Sequence, residues 1–124
     1  MGRILEELMT IADLDHALEQ SQGRPLLLFK HSLTCPISAR GLLELEAYLE
    51  EPDTRVDYRL IVVQNARTVS DAAASRLEIK HETPQAILIT DGRAVWHASH
   101  WDITSEAIKE ATSNVVAADR NAPS

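Results

Sequence analysis

Apolar positions along the chain follow helix-like spacing in some stretches and strand-like spacing in others. Thr10 and Asp13 form a capping-box pattern ahead of an i, i+3, i+4 apolar stripe, which predicts a helix over residues 12–21. The continuous apolar run 25–29 is typical of a strand that is buried on both faces. The chain ahead of Thr10 fits either a short strand near residues 5–9 or the start of a helix.

The same two kinds of pattern continue to the end of the chain. Leucines at helical spacing predict a helix over residues 36–50, and the run 56–63 is a second apolar strand. A further helix is expected to begin near Ser70. Asp91-Gly92 separates two β-rich runs, which is a strong hairpin signal. The last three elements are strands over 85–90 and 93–98 and a helix capped by Asp102 or Thr104.

This order of elements predicts an α/β fold. A strand-helix-strand unit followed by an antiparallel hairpin and a helix is the thioredoxin arrangement, with a central mixed sheet of four to five strands flanked by helices on both faces. The chain has 124 residues, which is enough for one domain with its own core and too few for two. We therefore expect a single domain over residues 1–117 and a flexible polar tail over 118–124.

Composition narrows the functional classes. The net charge of −7 argues against a nucleic acid or an anionic membrane as partner. The chain has one cysteine, so it forms no internal disulfide, and it shows neither a signal peptide nor an apolar run of membrane-spanning length. These features predict a reducing, cytoplasmic setting in which a free thiol stays available for reaction.

The single cysteine, Cys35, stands at the junction between a predicted buried strand and a predicted helix. Proline is favoured at the first helical position, so Pro36 places Cys35 at the N-cap. The unpaired amides of Ile37 and Ser38 would then point toward the sulfur. The helix dipole stabilises an anion at that end by about 0.3–1 kcal/mol. Nucleophilic thiol chemistry is therefore the first hypothesis for this protein.

The neighbours of Cys35 decide which thiol chemistry is available. Thiol–disulfide exchange passes through a mixed disulfide, which a second cysteine three positions further on would resolve internally. That position is Ser38, whose hydroxyl can hydrogen-bond to a thiolate but cannot form a disulfide, so turnover requires an external thiol. Lys30 and His31 would also stabilise a thiolate if the loop folds them over the sulfur; the alternative is that both are solvated.

Three stretches of the chain resemble one known family. They are FKHSLTCPIS at 29–38, Thr83-Pro84-Gln85, and VWHASHWDIT at 95–104. Together they resemble the monothiol bacilliredoxins, the YtxJ-type proteins of the bacillithiol system, over roughly residues 9–111. The resemblance implies a cysteine, here Cys35, that attacks proteins carrying a bacillithiol mixed disulfide and takes the small thiol onto itself. A second thiol in solution would then release it, so the small thiol is a co-substrate and no bound cofactor or metal is expected.

The resemblance also implies where substrates bind. Thr83-Pro84 stands where the thioredoxin fold carries a cis-proline loop, whose backbone would pair with an extended S-thiolated protein beside Cys35. In this fold the last strand ends on the same side of the sheet as the cysteine, so the loop after it is a candidate for substrate contact. For Trp96 and Trp101, packing in the core is the competing interpretation. The predicted substrate-binding residues are Thr34, Thr83, Pro84, His100, Trp101 and Asp102.

Other interpretations of this region are less consistent with the sequence or stay open. A phosphatase phosphate loop needs one more residue between Cys35 and Arg40, and a peroxiredoxin site has proline where Leu28 stands. Cys35 and His31 do not complete a metal site, although two monothiol subunits can bridge an iron–sulfur cluster. Arg40 either pairs with Glu44 on the helix surface or binds an acidic ligand. An inert buried cysteine, a non-catalytic thioredoxin-like binding module and any oligomeric state also remain open.

Overall fold

A five-stranded mixed sheet lies at the centre of the computed structural model, which describes residues 5–121, with side chains up to residue 118. The strands are β1 (Leu5–Glu7), β2 (Leu26–His31), β3 (Asp57–Val62), β4 (Gln85–Thr90) and β5 (Arg93–Ser99). The helices are α1 (Ile11–Gln20), α2 (Pro36–Tyr48), α3 (Arg67–Leu77) and α4 (Ser105–Asn121), with a short 3₁₀ turn (His100–Asp102) before α4. The spatial order is β1-β3-β2-β4-β5. Strands β1, β3 and β2 run parallel to one another, and β4 runs antiparallel to both of its neighbours, β2 and β5.

Strand β2 is the centre of the sheet and is buried along its whole length. Its side chains alternate between two core clusters: Leu26 and Leu28 pack toward α1 and α3, whereas Leu27 and Phe29 pack toward α2 and α4. Burial of each such side chain stabilises the fold by about 1.5–3 kcal/mol. The predicted α/β architecture with helices on both faces is therefore confirmed. Strand β2 is packed in the core up to His31, where the loop that carries the cysteine begins.

Local signals account for most of the element boundaries. The Thr10 hydroxyl accepts the Asp13 N–H at 3.0 Å, and the Asp13 carboxylate accepts the amides of Met9 and Thr10, which completes the predicted capping box. These bonds, chiefly that from Met9, lower the pKa of Asp13. Asp91 and Gly92 both have positive φ, 53° and 74°, as a two-residue type I′ hairpin turn requires.

Three boundaries differ from the sequence prediction or decide between its alternatives. Helix α3 begins at Arg67, ahead of Ser70, because Val69 is already buried in the core and tertiary packing extends the helix. Thr104 caps α4 by accepting the Ala107 N–H at 3.0 Å, whereas Asp102 lies in the 3₁₀ turn. Helix α4 continues to Asn121, so residues 118–121 of the predicted tail are helical, and residues 122–124 lie outside the described residues.

Candidate active site

Cys35 lies where the loop after β2 becomes helix α2. Its backbone is extended (φ −109°, ψ 117°), its carbonyl accepts the Ala39 N–H at 3.0 Å, and Pro36 is the first helical residue, which confirms the predicted N-cap. The thiol is free and half-buried, and it makes no capping hydrogen bond. The amides of Ile37 and Ser38 have no acceptor within the helix. Because the first turn carries no acidic residue, no carboxylate there opposes the positive end of the helix dipole at Cys35.

The Ser38 side chain holds the cysteine loop from inside the protein. It is fully buried, its Oγ accepts the Ser32 N–H at 2.9 Å, and it lies 2.7 Å from His31 Nδ1. Burial lowers the pKa of His31 and so favours the neutral ring, whose Nδ1 can accept the Ser38 hydroxyl proton. The solvated interpretation of His31 is wrong, since this side chain is buried. The effect of Ser38 and His31 on a Cys35 thiolate stays a prediction.

Substitution Ser38→Ala is expected to lower the free energy of unfolding by about 1–3 kcal/mol, because the Ser32 N–H and the His31 ring each lose a buried hydrogen-bond partner. Urea denaturation measures the change. Ser75→Ala, at an exposed position of α3, is the matched control and should stay within about 0.5 kcal/mol of the wild type. Equal stability of the two variants would show that the Ser38 hydroxyl does not hold the loop.

Gln64, whose role no local sequence pattern indicates, holds the outer side of the same loop. Its Oε1 accepts the Leu33 N–H at 3.0 Å, and its Nε2 donates to the Ser32 Oγ at 3.0 Å. Gln64 follows β3, the parallel neighbour of β2. The carboxyl ends of parallel strands open onto the same crevice, and that rule is the signal that could have identified this residue. Thr34, predicted to contact substrate, is exposed beside the thiol.

Lys30 lies on the opposite face of the sheet from helix α2. Its side chain is fully buried, and its Nζ donates to the Ser70 carbonyl at 3.0 Å and lies 3.3 Å from His81 Nδ1. Burial lowers the pKa of Lys30 to about 8, and burial together with the Lys30 charge lowers the pKa of His81. The solvated interpretation of Lys30 is wrong. The structure does not bring this side chain to the sulfur; it links β2 to α3 and to the segment that leads into Thr83-Pro84.

The predicted loop before β4 lies against helix α2. The Thr83-Pro84 peptide bond is cis, as predicted, and Pro84 is buried. A Cβ added at Gly41 of α2 would come within 3.3 Å of the proline ring, so the missing side chain lets this loop approach the helix closely. Strand β4 then begins at Gln85, paired with the end of β2. The half-buried Thr83 therefore stands at the same edge of the sheet as Cys35.

The 3₁₀ turn after β5 completes this edge. The His100 N–H donates to the Pro84 carbonyl at 3.1 Å, which joins the turn to the loop before β4. His100 Nδ1 lies 3.7 Å from the Glu82 carboxylate, and a hydrogen bond from Ser99 and then the charge of His100 lower the pKa of Glu82. Asp102 is exposed on the same turn. The structure thus brings Thr83, Pro84 and His100 together as a connected unit.

The two tryptophans have different environments. Trp96 is partly buried against the core on the α2 and α4 side, as the core-packing interpretation predicts. Trp101 is 63% exposed, and the Arg40 guanidinium carbon lies 5.0 Å from the centre of its ring, so the core-packing interpretation is wrong for Trp101. Glu44 accepts the Ser105 N–H at 2.8 Å, and the Arg40–Glu44 ion pair is absent from the described contacts.

Two further expectations concern metals and membranes. Among the side chains that the structure describes, no group of three or more His, Cys, Asp or Glu residues is arranged to hold a metal ion. Within residues 5–121, no helix combines the length and the apolar character that a membrane crossing requires.

The fold and this site define a class of protein. A proposed oxidoreductase with a thioredoxin fold, known from a solved structure, is 31% identical; the match covers 87% of this chain and 93% of that one, with a TM-score of 0.77. Thioredoxin of Fasciola hepatica shares the fold at 19% identity, with 88% and 97% of the chains covered and a TM-score of 0.69. Malassezia sympodialis thioredoxin (Mala s 13) does so at 7% identity, with 89% of each chain covered and a TM-score of 0.72. The chain is a thioredoxin-like thiol oxidoreductase.

The family is narrower than this class. Residues 6–108 match the model of the family described as Monothiol bacilliredoxin BrxC. The chain belongs to the monothiol bacilliredoxin family, and the resemblance found in the sequence is confirmed. Membership implies a redox enzyme that acts on thiol-containing proteins.

Proposed function

We propose that the protein removes a low-molecular-weight thiol, bacillithiol, from protein mixed disulfides and carries it on Cys35. The observation that supports this most strongly is a free, half-buried thiol at the N-cap of α2, with a serine at the position where a dithiol enzyme has its second cysteine. Ser38 cannot resolve an adduct, so Cys35 holds the small thiol until another thiol arrives.

The exchange proceeds in two steps. The Cys35 thiolate attacks the small-thiol sulfur of the mixed disulfide; that S–S bond breaks, a Cys35 disulfide forms, and the client protein leaves as a thiolate. A second small thiol, as its thiolate, then attacks the adduct and leaves as the small-molecule disulfide, which restores Cys35. The amides of Ile37 and Ser38 stabilise negative charge on the cysteine sulfur before the first step and after the second. The small thiol is a co-substrate, and the steps need no bound cofactor.

Client proteins are proposed to dock on the surface around the thiol. Leu33 and Trp101 are 60% and 63% exposed, and the backbone of Thr83 offers an edge on which an extended segment can pair. A net charge of −7 is unsuited to nucleic acids, so S-thiolated proteins in a reducing, cytoplasmic compartment are the proposed partners.

The test uses one model protein that carries bacillithiol, coenzyme A or cysteine as a mixed disulfide on the same residue. Recovery of the protein thiol is followed with and without this enzyme, in the presence of the matching free thiol. We expect fastest recovery from the bacillithiol disulfide. Equal acceleration of all three would contradict the choice of bacillithiol, whereas no acceleration of any would contradict the exchange itself and favour a non-catalytic binding module.

Substitution Ser38→Cys is expected to convert the protein into a dithiol enzyme. Residues at the N-cap and the third helical position are close enough for a disulfide, which needs a Cα–Cα separation of about 4.4–6.8 Å. After reaction with an S-thiolated protein the variant should release the small thiol and carry an internal disulfide, seen by mass spectrometry as the loss of two hydrogen atoms. A persistent adduct on this variant would place position 38 out of reach of Cys35.

A further inference from the structure

Part of the Arg40 guanidinium, on the helix that Cys35 caps, makes no described hydrogen bond. Its Nη1 donates to the Ile103 carbonyl at 3.0 Å and to the Trp101 carbonyl at 3.4 Å. The guanidinium has five N–H donors, and these bonds use Nη1 alone, so Nε and Nη2 donate to no residue that the structure describes. These two nitrogens form a fork of the kind that binds both oxygens of a carboxylate.

The charge of Arg40 also has no acidic partner among the described side chains. Glu44, one turn further along α2, is engaged by the Ser105 amide. Of the seven arginines whose side chains are described, five lie within 4.0 Å of a carboxylate: Arg24, Arg55, Arg59, Arg67 and Arg76. Arg40, five residues after Cys35 in the chain, and Arg93 are the two described arginines without a carboxylate partner, in a chain whose net charge is −7.

From helix geometry we infer that the free edge of Arg40 lies within reach of a group carried on Cys35. Arg40 is one helical turn after Pro36, the residue next to Cys35, and helical side chains lean toward the N-terminus, so the Arg40 side chain leans along α2 toward the end that carries Cys35. The rise from Cys35 to Arg40 along the axis is about 7.5 Å. The ring of Trp101 and two carbonyls hold the guanidinium in place, and the turn that carries Trp101 is bonded to the Pro84 loop through His100.

Resting on the proposed function, we propose that Arg40 and Trp101 form a subsite for a carboxylate of the low-molecular-weight thiol. The Arg40 fork binds the carboxylate and the exposed Trp101 ring packs against the rest of the molecule. Arg40 is thus a specificity-determining residue, and the enzyme prefers to accept thiols that carry a negative charge close to the sulfur over neutral thiols of the same size.

The test compares two mixed disulfides of one model protein, made with mercaptopropionate and with mercaptopropionamide, which differ in charge and hardly in size. Rates of transfer to Cys35 are divided by the rates at which dithiothreitol reduces the same disulfides. We expect the wild type to prefer the anionic thiol about fivefold, the upper range for one exposed ion pair. Arg40→Gln should bring this ratio to about one, and Arg40→Lys, which keeps the charge without the fork, should retain part of it.

Arg93→Gln is the matched control. Arg93 also lacks a carboxylate partner among the described side chains, but it lies at the start of β5, the opposite end from the strand terminus near the site, and both rates should stay at wild-type values. A second measurement uses the wild type alone and so does not depend on the folding of a variant. The preference for the anionic thiol should largely vanish in about 1 M salt, where the screening length is about 3 Å.

The outcomes separate this inference from the proposed function. If the wild type transfers both thiols at equal normalised rates, the Arg40 subsite is overturned and the exchange reaction stands. If Arg40→Gln slows both thiols and keeps the ratio, Arg40 acts on the fold or on the client protein, which also overturns the subsite. If the wild type transfers neither thiol, the proposed function fails and the subsite fails with it.

Discussion

Replacing Cys35 by serine is expected to abolish transfer of the small thiol, lowering the rate by roughly three orders of magnitude or more, as loss of the nucleophile does in other covalent catalysts. A hydroxyl at the same N-cap position has no thiolate to offer and forms no disulfide. The rate is measured as recovery of the client protein's thiol from a defined mixed disulfide.

The same variant controls for folding. Serine differs little in size from cysteine and is a favoured N-cap residue, so the free energy of unfolding should change by no more than about 1 kcal/mol. A folded Cys35→Ser protein that still restores the client thiol at the wild-type rate would show that another group carries the reaction.

The stability of the protein is expected to depend on pH through Lys30. The pKa of this lysine is lowered from 10.5 to about 8 in the folded chain, because burial disfavours its charge. Between these two pH values the unfolded chain binds more protons than the folded chain, so the free energy of unfolding contributed by Lys30 increases as the pH rises. Allowing for solvent screening, the gain is about 2 kcal/mol.

Substitution Lys30→Met isolates this contribution, since methionine fills a similar space without the ammonium group. Urea denaturation of both proteins should show the stability difference shifting by about 2 kcal/mol in favour of the wild type between about pH 7 and about pH 10. Lys109→Met, at an exposed position of α4, is the matched control and should show a shift below about 0.5 kcal/mol. A constant Lys30→Met difference across this pH range would mean that burial does not lower the pKa of Lys30.

Local patterns were sufficient to predict the elements that position the cysteine. Strand β2 is a run of residues buried on both faces, Pro36 marks the helix start, and Asp91-Gly92 supports the positive φ values that its hairpin turn needs. In each case the sequence pattern that indicates the element lies within a few residues along the chain. The N-cap position of Cys35 follows from two adjacent residues, and for that reason the sequence predicted it correctly.

Long-range packing decided what the sequence could not show. Period-two alternation puts Lys30 and His31 on opposite faces of β2, but only the packed helices reveal that both faces are buried at that end of the strand. Gln64 lies far along the chain from the loop that it holds. The exposure of Trp101 likewise depends on the 3₁₀ turn in which it lies, and the apolar pattern of the sequence does not predict this turn.

The proposed exchange depends on Cys35 acting as the acceptor of a small thiol. The most direct measurement follows the intact masses of this protein and of an S-thiolated client during one turnover, without added free thiol. We predict that each client molecule that loses the thiol is matched by one enzyme molecule that gains the same mass, and that peptide mapping places the mass on Cys35. A client that keeps its adduct beside an unmodified, folded enzyme would contradict the proposed exchange at Cys35.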